Sequence, residues 1–233
     1  MMITDCRAIL WDVGGTLVDF ACSLPESVRC RLAGCGVDHS RLSDEHIEQT
    51  YADFLRPEQQ WRTIEQERAA ERNWFGKLLG NESFDRNAVA KAAAGMPRYF
   101  NLYRPVSGLI PLLDELSKRR LPMAVVSNWP PSLPEFLDHH GLTSYFDPIV
   151  YSAQDGIHKP DHRIFQRALD ALGTPAVRAI FIGDDPELDI APARDMGMQP
   201  INFDLRRKCR SRDAEDAHKL RQLLLAMLER SQA

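Results

Sequence analysis

Short uninterrupted apolar runs alternate along this chain with longer segments whose apolar residues recur every three or four positions. Residues 8–13 form the first strand candidate, an apolar stretch ended by two glycines. Between residues 20 and 103 the texture changes: "LSDEHIEQTYADFL", "EQQWRTIEQERAAERNWFGKLLG" and "DRNAVAKAAAGM" are rich in helix formers and hold no convincing strand. This stretch reads as a helical insert. Beyond Arg104-Pro105, helices and strands take turns. "SGLIPLLDELSKRR" is helical, "MAVVS" a strand, "LPEFLDHHG" a helix closed by Gly141, "IVYS" a strand, and "DHRIFQRALDALG" a helix with Asp161 as N-cap and Gly173 as its stop. "RAIFIGD", "ELDIAPARDMG" and "QPINF" continue as strand, helix and strand, and "AHKLRQLLLAMLER" is a final amphipathic helix.

Strands alternating with helices of this length predict an α/β fold, a doubly wound parallel sheet with right-handed crossovers. The core is expected from residues 1–19 and 104–233, with 20–103 as an inserted helical domain. In such a sheet the ligand site lies at the carboxyl ends of the strands, so polar residues should follow the apolar runs. They do: Asp12 follows "AILW", Ser127 and Asn128 follow "MAVV", and Asp184 and Asp185 follow "AIFIG". Lys159, in "GIHKPD", sits in the loop before a helix and close to the same edge.

Composition narrows the partners more than the fold. The chain has 233 residues, enough for a well-buried core with a modest insertion, and its 44% hydrophobic and 27% charged residues are ordinary for a globular protein. A net charge of -4 gives no general attraction to nucleic acid or to an anionic membrane. The five cysteines (Cys6, Cys22, Cys30, Cys35, Cys209) include no C-x-x-C pair and read as reduced thiols. No apolar run approaches the roughly 20 residues of a membrane span, and the N-terminus carries an acid where a signal peptide has a basic region. A cytoplasmic protein is expected, without nucleic-acid or membrane partners; its oligomeric state is not legible.

The loop "DVGGTL" suits two phosphate chemistries. Asp12 can be a nucleophile at the end of a buried strand, or the turn can hold the phosphates of ATP, as in actin-like sugar kinases. The second needs a duplicated fold with another phosphate loop, for which the chain is too short.

Four segments, "DVGGTL", "VVSN", "HKPDHRIF" and "IGDDPELD", occur in the order and with the spacing of the motifs of the haloacid dehalogenase-like hydrolases. The chain resembles that superfamily from about residue 8 to 203, and its helical insert stands where the family places its first type of cap. The resemblance implies a Rossmann-like core and catalysis through an aspartyl-phosphate on Asp12. It assigns Ser127 to a phosphoryl oxygen, Lys159 to neutralising charge, and Gly15, Thr16 and Asn128 to binding phosphate. It further implies Mg²⁺ held by Asp12, the carbonyl of Gly14 and Asp184, with Asp185 or Asp189 assisting. The expected activity is a Mg²⁺-dependent phosphohydrolase acting on a small phosphorylated metabolite. Physical reasoning agrees, because a carboxylate nucleophile and a phosphate dianion repel each other unless cations bring them together.

Gly14 departs from the family pattern. Its phosphatases carry there a second aspartate that protonates the leaving oxygen, a contribution of about 10²- to 10⁴-fold, or roughly 3 to 5 kcal/mol of barrier. Substrates with good leaving groups need little protonation, and Asp19 is a conceivable substitute acid. The alternatives are a degenerate member that binds a phosphorylated ligand without efficient turnover, or a relative that cleaves a phosphonate or a halide. Dehalogenation fits poorly, since Asp184, Asp185 and Asp189 beside Asp12 need a cation to offset them. Imine-type phosphonate hydrolysis needs a lysine from the insert, and only Lys77 and Lys91 are there.

The remaining features read as structural. "LDHHGL" is a helix end closed by Gly141, where imidazoles suit the negative end of the dipole. Trp61, Trp74, Phe75, Tyr99, Phe100 and Tyr103 have the spacing of core aromatics, and the basic run "RRKCRSR" reads as a solvated loop.

Overall fold

β1 (Ala8–Trp11), β4 (Met123–Ser127) and β6 (Ala179–Gly183) are buried at every residue, as central parallel strands covered on both faces must be. The computed structural model describes residues 5–21, 23–34, 36–54, 61–80, 99–203 and 213–230. With β5 (Ile149–Tyr151) and β7 (Gln199–Asn202) these strands form a five-stranded parallel sheet in the order β5-β4-β1-β6-β7. The chain builds outward from β1 through β4 to β5, then returns to the other side for β6 and β7. The direction of winding therefore reverses at β1, which is where such sheets open a crevice at their carboxyl ends. The pairing register sets Trp11 beside both Val125 and Ile182, so the residues that follow these strands emerge at one edge.

Helix His162–Ala171 covers one face with Ile164, Phe165, Ala168 and Leu169, which join Leu10, Val126 and Phe181 in the core. Its ends follow the sequence signals. The Asp161 side chain accepts from the Arg163 N–H, and Gly173 takes a φ of 60° where the chain turns away. The C-terminal helix Asp213–Arg230 packs on helix Leu109–Lys118, and Arg221 Nε donates to Glu115 at 2.8 Å.

Helix Leu109–Lys118 ends in the same left-handed way, but with Arg120 at φ 56° in place of glycine. The Arg120 N–H reaches Ser117 O and the Leu121 N–H reaches Leu116 O, the hydrogen-bond pattern of a Schellman ending. Arg120 is exposed, so only its backbone matters. Arg120→Gly is expected to stabilise the protein by about 0.5–1 kcal/mol, read as a melting temperature a few degrees higher. A lower melting temperature would contradict this.

The chain divides into two compact units: residues 1–19, 105–129 and 133–233, which contain the sheet, and residues 20–104 with 130–132. A two-stranded ribbon, β2 (Val18–Phe20) with β3 (Tyr103–Pro105), spans the points where the chain leaves the first unit and returns, an element the sequence pattern does not announce. The described residues of the second unit include helices Leu24–Gly34, Asp44–Phe54 and Ile64–Leu79. The last begins with a capping box between Thr63 and Gln66. The expected helix at 85–96 lies outside the described residues, as do Lys91 and the basic run 206–212. Trp74, Phe75, Tyr99 and Phe100 are buried and pack on one another and on Tyr51 and Phe54, the role expected of core aromatics.

Among the described residues, two carboxylates are buried within this helical unit. Glu67 accepts from the Ser132 hydroxyl at 2.5 Å and from its N–H at 2.9 Å, which holds residues 130–132 to helix Ile64–Leu79. Glu71 accepts from the Tyr99 N–H at 2.8 Å and pairs with Arg31 at 3.0 Å. Among the described residues no helix is long and apolar enough to cross a membrane.

Candidate active site

Asp12 stands one residue beyond β1, where the backbone still bonds to the sheet through the Asp12 N–H and Ile182 O. The residue is 6% exposed. Ser127, the last residue of β4, donates its hydroxyl to Asp12 Oδ1 at 2.8 Å, and Lys159 Nζ donates to the same oxygen at 2.7 Å. Lys159 Nζ also reaches Asp189 Oδ1 at 2.5 Å. A fully buried ammonium thus bridges two buried carboxylates. Burial alone would lower the Lys159 pKa, but the charges of Asp12 and Asp189 outweigh it and hold the group above its usual value.

Asp189 completes the arrangement from beyond β6. Its Oδ2 accepts from the N–H groups of Asp184 and Asp185, both at 3.1 Å, which ties it under the strand end. Burial first, then the Asp12 charge, push its carboxyl up to about 6, against the pull of Lys159. The segment Pro186–Ile190 is a π-helical turn leading into helix Ala191–Asp195, where periodicity alone predicts one continuous helix. The Asp185 carboxylate caps this turn, with Oδ1 accepting from the N–H groups of Glu187 and Leu188 at 2.8 and 3.0 Å.

Of the acids that sequence reasoning singles out as metal ligands, Asp12, Asp184 and Asp189 are brought together. One oxygen of each lies within 4.8 Å of the others, and all three residues are buried. Asp185 is engaged in its cap. Three buried carboxylates form a set of hard oxygen donors, with the Lys159 ammonium paired to two of them, Asp12 and Asp189. A small divalent cation suits both the charge and the donors.

The loop after Asp12 is a tight turn. Val13 O accepts from the N–H groups of Thr16, Leu17 and Val18, and the Gly15 N–H reaches Val18 O at 2.8 Å. The N–H groups of Gly15 and Thr16, both expected at phosphate, therefore serve the turn, and the Thr16 side chain is fully buried. The turn does not use the N–H groups of Val13 and Gly14, which sequence reasoning did not consider as phosphate donors. Asn128 is the third residue that the resemblance assigns to phosphate. Its amide brackets the Lys159 backbone, with Oδ1 accepting from the Lys159 N–H at 2.7 Å and Nδ2 donating to Lys159 O at 3.0 Å. Asp19 is a half-buried residue of β2, and Lys77 is exposed on helix Ile64–Leu79.

Gly15 is needed for two reasons. It holds φ at 74°, and a Cβ there would stand 2.8 Å from Asp184 Cγ and collide with Oδ2. Gly173 shares the positive φ but would meet nothing within 4 Å, so it isolates the backbone cost. Gly173→Ala is expected to cost about 1–2 kcal/mol and Gly15→Ala distinctly more, because Asp184 must also move. Equal losses of melting temperature would show that Asp184 yields freely.

The model of the haloacid dehalogenase-like hydrolase family matches residues 6–197. The chain belongs to that family. Over 110 residues it is 36% identical to a phosphoserine phosphatase of Thermus thermophilus, a match that covers 47% of this chain and 43% of that enzyme, less than half of its length. A solved HAD phosphatase from Thermococcus onnurineus is 21% identical, with a TM-score of 0.59 over 94% of this chain and 97% of that one. A 2-haloacid dehalogenase from Pseudomonas syringae pv. Tomato is also 21% identical, with a TM-score of 0.58 over 92% and 99%. These structures share the fold alone. Because a phosphatase and a dehalogenase match it equally well, the fold does not select the bond that is cleaved.

Proposed function

We propose that this hydrolase is a Mg²⁺-dependent phosphohydrolase that acts on a small phosphorylated metabolite, with Asp12 as its nucleophile and the helical unit as its cap. The observation that carries this reading is the buried group of Asp12, Asp184 and Asp189 around one lysine. A site for halide displacement has no use for so much buried negative charge, whereas a metal-assisted phosphate site does. The phosphatase name of the Thermus thermophilus relative supports the same substrate class.

Ser127 and Lys159 fix Asp12 through Oδ1, which leaves Oδ2 outside those two bonds for attack on phosphorus. The new bond is a carboxyl oxygen to phosphorus, and the bond to the leaving oxygen breaks with its electron pair. Water then cleaves the acyl-phosphate, restoring the Asp12 carboxylate and releasing inorganic phosphate. Lys159 and Ser127 offer donors to the phosphoryl oxygens once Oδ1 shares its charge, and Asn128 keeps Lys159 in place through its backbone. Mg²⁺ held by Asp12, Asp184 and Asp189 would supply the charge neutralisation that lets a phosphate dianion approach a carboxylate.

The test is phosphate release from acyl, aryl and alkyl phosphates, with and without Mg²⁺, against Asp12→Asn. Turnover that needs Mg²⁺ and disappears in the variant is the expected result. Turnover that survives in Asp12→Asn would remove Asp12 as nucleophile. Gly14 favours a second reading, binding without efficient turnover. Its mark would be silence across the panel together with a melting temperature raised by Mg²⁺ and beryllofluoride in the wild type but not in Asp12→Asn.

A further inference from the structure

Position 14 lies two residues beyond Asp12 and carries no side chain. A Cβ built there would stand 3.3 Å from Cζ3 of Trp129, tighter than an ordinary van der Waals contact. The indole therefore borders the space that a side chain at 14 would enter, and even a Cβ there asks it to give by a few tenths of an ångström. It is not placed to yield. Trp129 is 9% exposed, and its ring packs on Phe136 with centroids 4.7 Å apart. Its backbone is tied on both sides, since the Trp129 N–H donates to Ser152 Oγ at 3.1 Å and Trp129 O accepts from the Ser152 hydroxyl and the Ala153 N–H, each at 3.3 Å.

Three consecutive residues thus serve the same centre. Ser127 holds the Asp12 carboxylate, Asn128 holds Lys159, and Trp129 borders the loop at Gly14. Ser127 and Lys159 both bond to Asp12 Oδ1, Lys159 also to Asp189, and the proposed mechanism assigns both donors to the phosphoryl oxygens. Among the described residues, the indole is the one side chain within 4 Å of a Cβ at position 14, so an aromatic edge and no ionisable group stands there.

Resting on the phosphohydrolase reading above, we infer that Trp129 is a specificity-determining residue and that the substrates are phosphate monoesters of aromatic alcohols. A phenolate is stable enough to leave with little help from a proton, and a flat ring can stack on the indole. An alkoxide has neither advantage.

The experiment measures kcat/KM for substituted phenyl phosphates and for alkyl phosphates of similar size, in the wild type, Trp129→Leu, Gly14→Asp and Gly14→Asp/Trp129→Ala, with melting temperatures for all four. The wild type should prefer the aryl esters by about 10²-fold or more, with rates that rise as the leaving group becomes more acidic. Trp129→Leu, which keeps apolar bulk, should raise KM for aryl esters by about 2- to 10-fold and leave that for alkyl esters unchanged. Gly14→Asp should melt several degrees below the wild type, and the added Trp129→Ala should recover part of that loss while narrowing the aryl preference at least tenfold. Equal turnover of aryl and alkyl esters by the wild type overturns the inference, as does a Gly14→Asp variant that melts normally. Absence of phosphate release from every ester, with Asp12→Asn indistinguishable from the wild type, would instead sink the phosphohydrolase reading and the substrate class with it. The melting temperatures would still report whether Trp129 guards position 14.

Discussion

Asp12→Asn is expected to lower Mg²⁺-dependent phosphate release on the order of 10⁴-fold or more, because an amide oxygen cannot serve as the attacking group. The substitution is nearly isosteric, and the amide oxygen can still accept from Ser127 and Lys159, so the loss should not come from unfolding. The metal-free variant should in fact melt at or above the wild-type temperature. It removes one of three buried carboxylates and relieves Asp189, whose carboxyl the Asp12 charge helps to push up. Acid quenching during turnover should trap phosphate on the wild-type protein and none on the variant. A variant that keeps a hundredth of the activity, or one that melts far below the wild type, would contradict this account.

Lys159→Met should be the most damaging single change for stability. Methionine fills similar space but leaves Asp12 and Asp189 facing each other in a buried site without their common counter-charge. Stranding buried charge in this way costs about 3–5 kcal/mol, which lowers the melting temperature of a chain of this size by roughly 6–20 °C. The dependence on pH follows from linkage. Lys159 holds its proton more tightly folded than unfolded, so its contribution is complete at neutral pH and is lost only as pH rises through its raised pKa.

Asp189 works in the other direction. Its folded pKa of about 6 exceeds the unfolded value of 3.8, so the folded state holds a proton that the unfolded chain has released. The metal-free wild type therefore loses stability as pH rises between about 4 and about 6. Without Lys159, which pulls that pKa down, the loss continues to higher pH. The gap between wild type and Lys159→Met should then be widest near pH 8 and narrow toward pH 5. Added Mg²⁺ should restore part of the missing stability near pH 8, where the carboxylates are ionised. A gap that does not change with pH would mean that the carboxylates are not the source of the cost.

The parallel sheet was legible because its central strands are continuous apolar runs, each followed by polar residues. Buried parallel strands permit little else, and the same runs positioned Asp12, Ser127 and Asp184 as candidates before any contact was known. The helix ends at Asp161 and Gly173 were legible for a local reason, since a cap is read from a few adjacent residues. Local signals mislead where the turn geometry decides. The stretch after Asp185, whose periodicity reads as one continuous helix, begins as a π-helical turn. Buried carboxylates at Glu67 and Glu71 were likewise hidden, because on a helix of mixed polarity they look like solvent-facing residues until Ser132, Tyr99 and Arg31 are seen to pair with them.

The sequence by itself determined the class of fold, the order of its strands and helices, and the residue types available for chemistry, all of which depend on periodicity and near neighbours. Only the tertiary structure decided what each of those residues touches. Ser127 and Lys159 lie 115 and 147 positions from Asp12, and only the parallel register brings them to one oxygen. The same closure turns Asn128 toward the Lys159 backbone, commits Asp185 to a cap, gathers Asp184 and Asp189 with Asp12, and sets the Trp129 indole against Gly14. Burial in a shared low-dielectric space is what gives these contacts their energy, and neither the space nor its occupants are properties of any one stretch of chain.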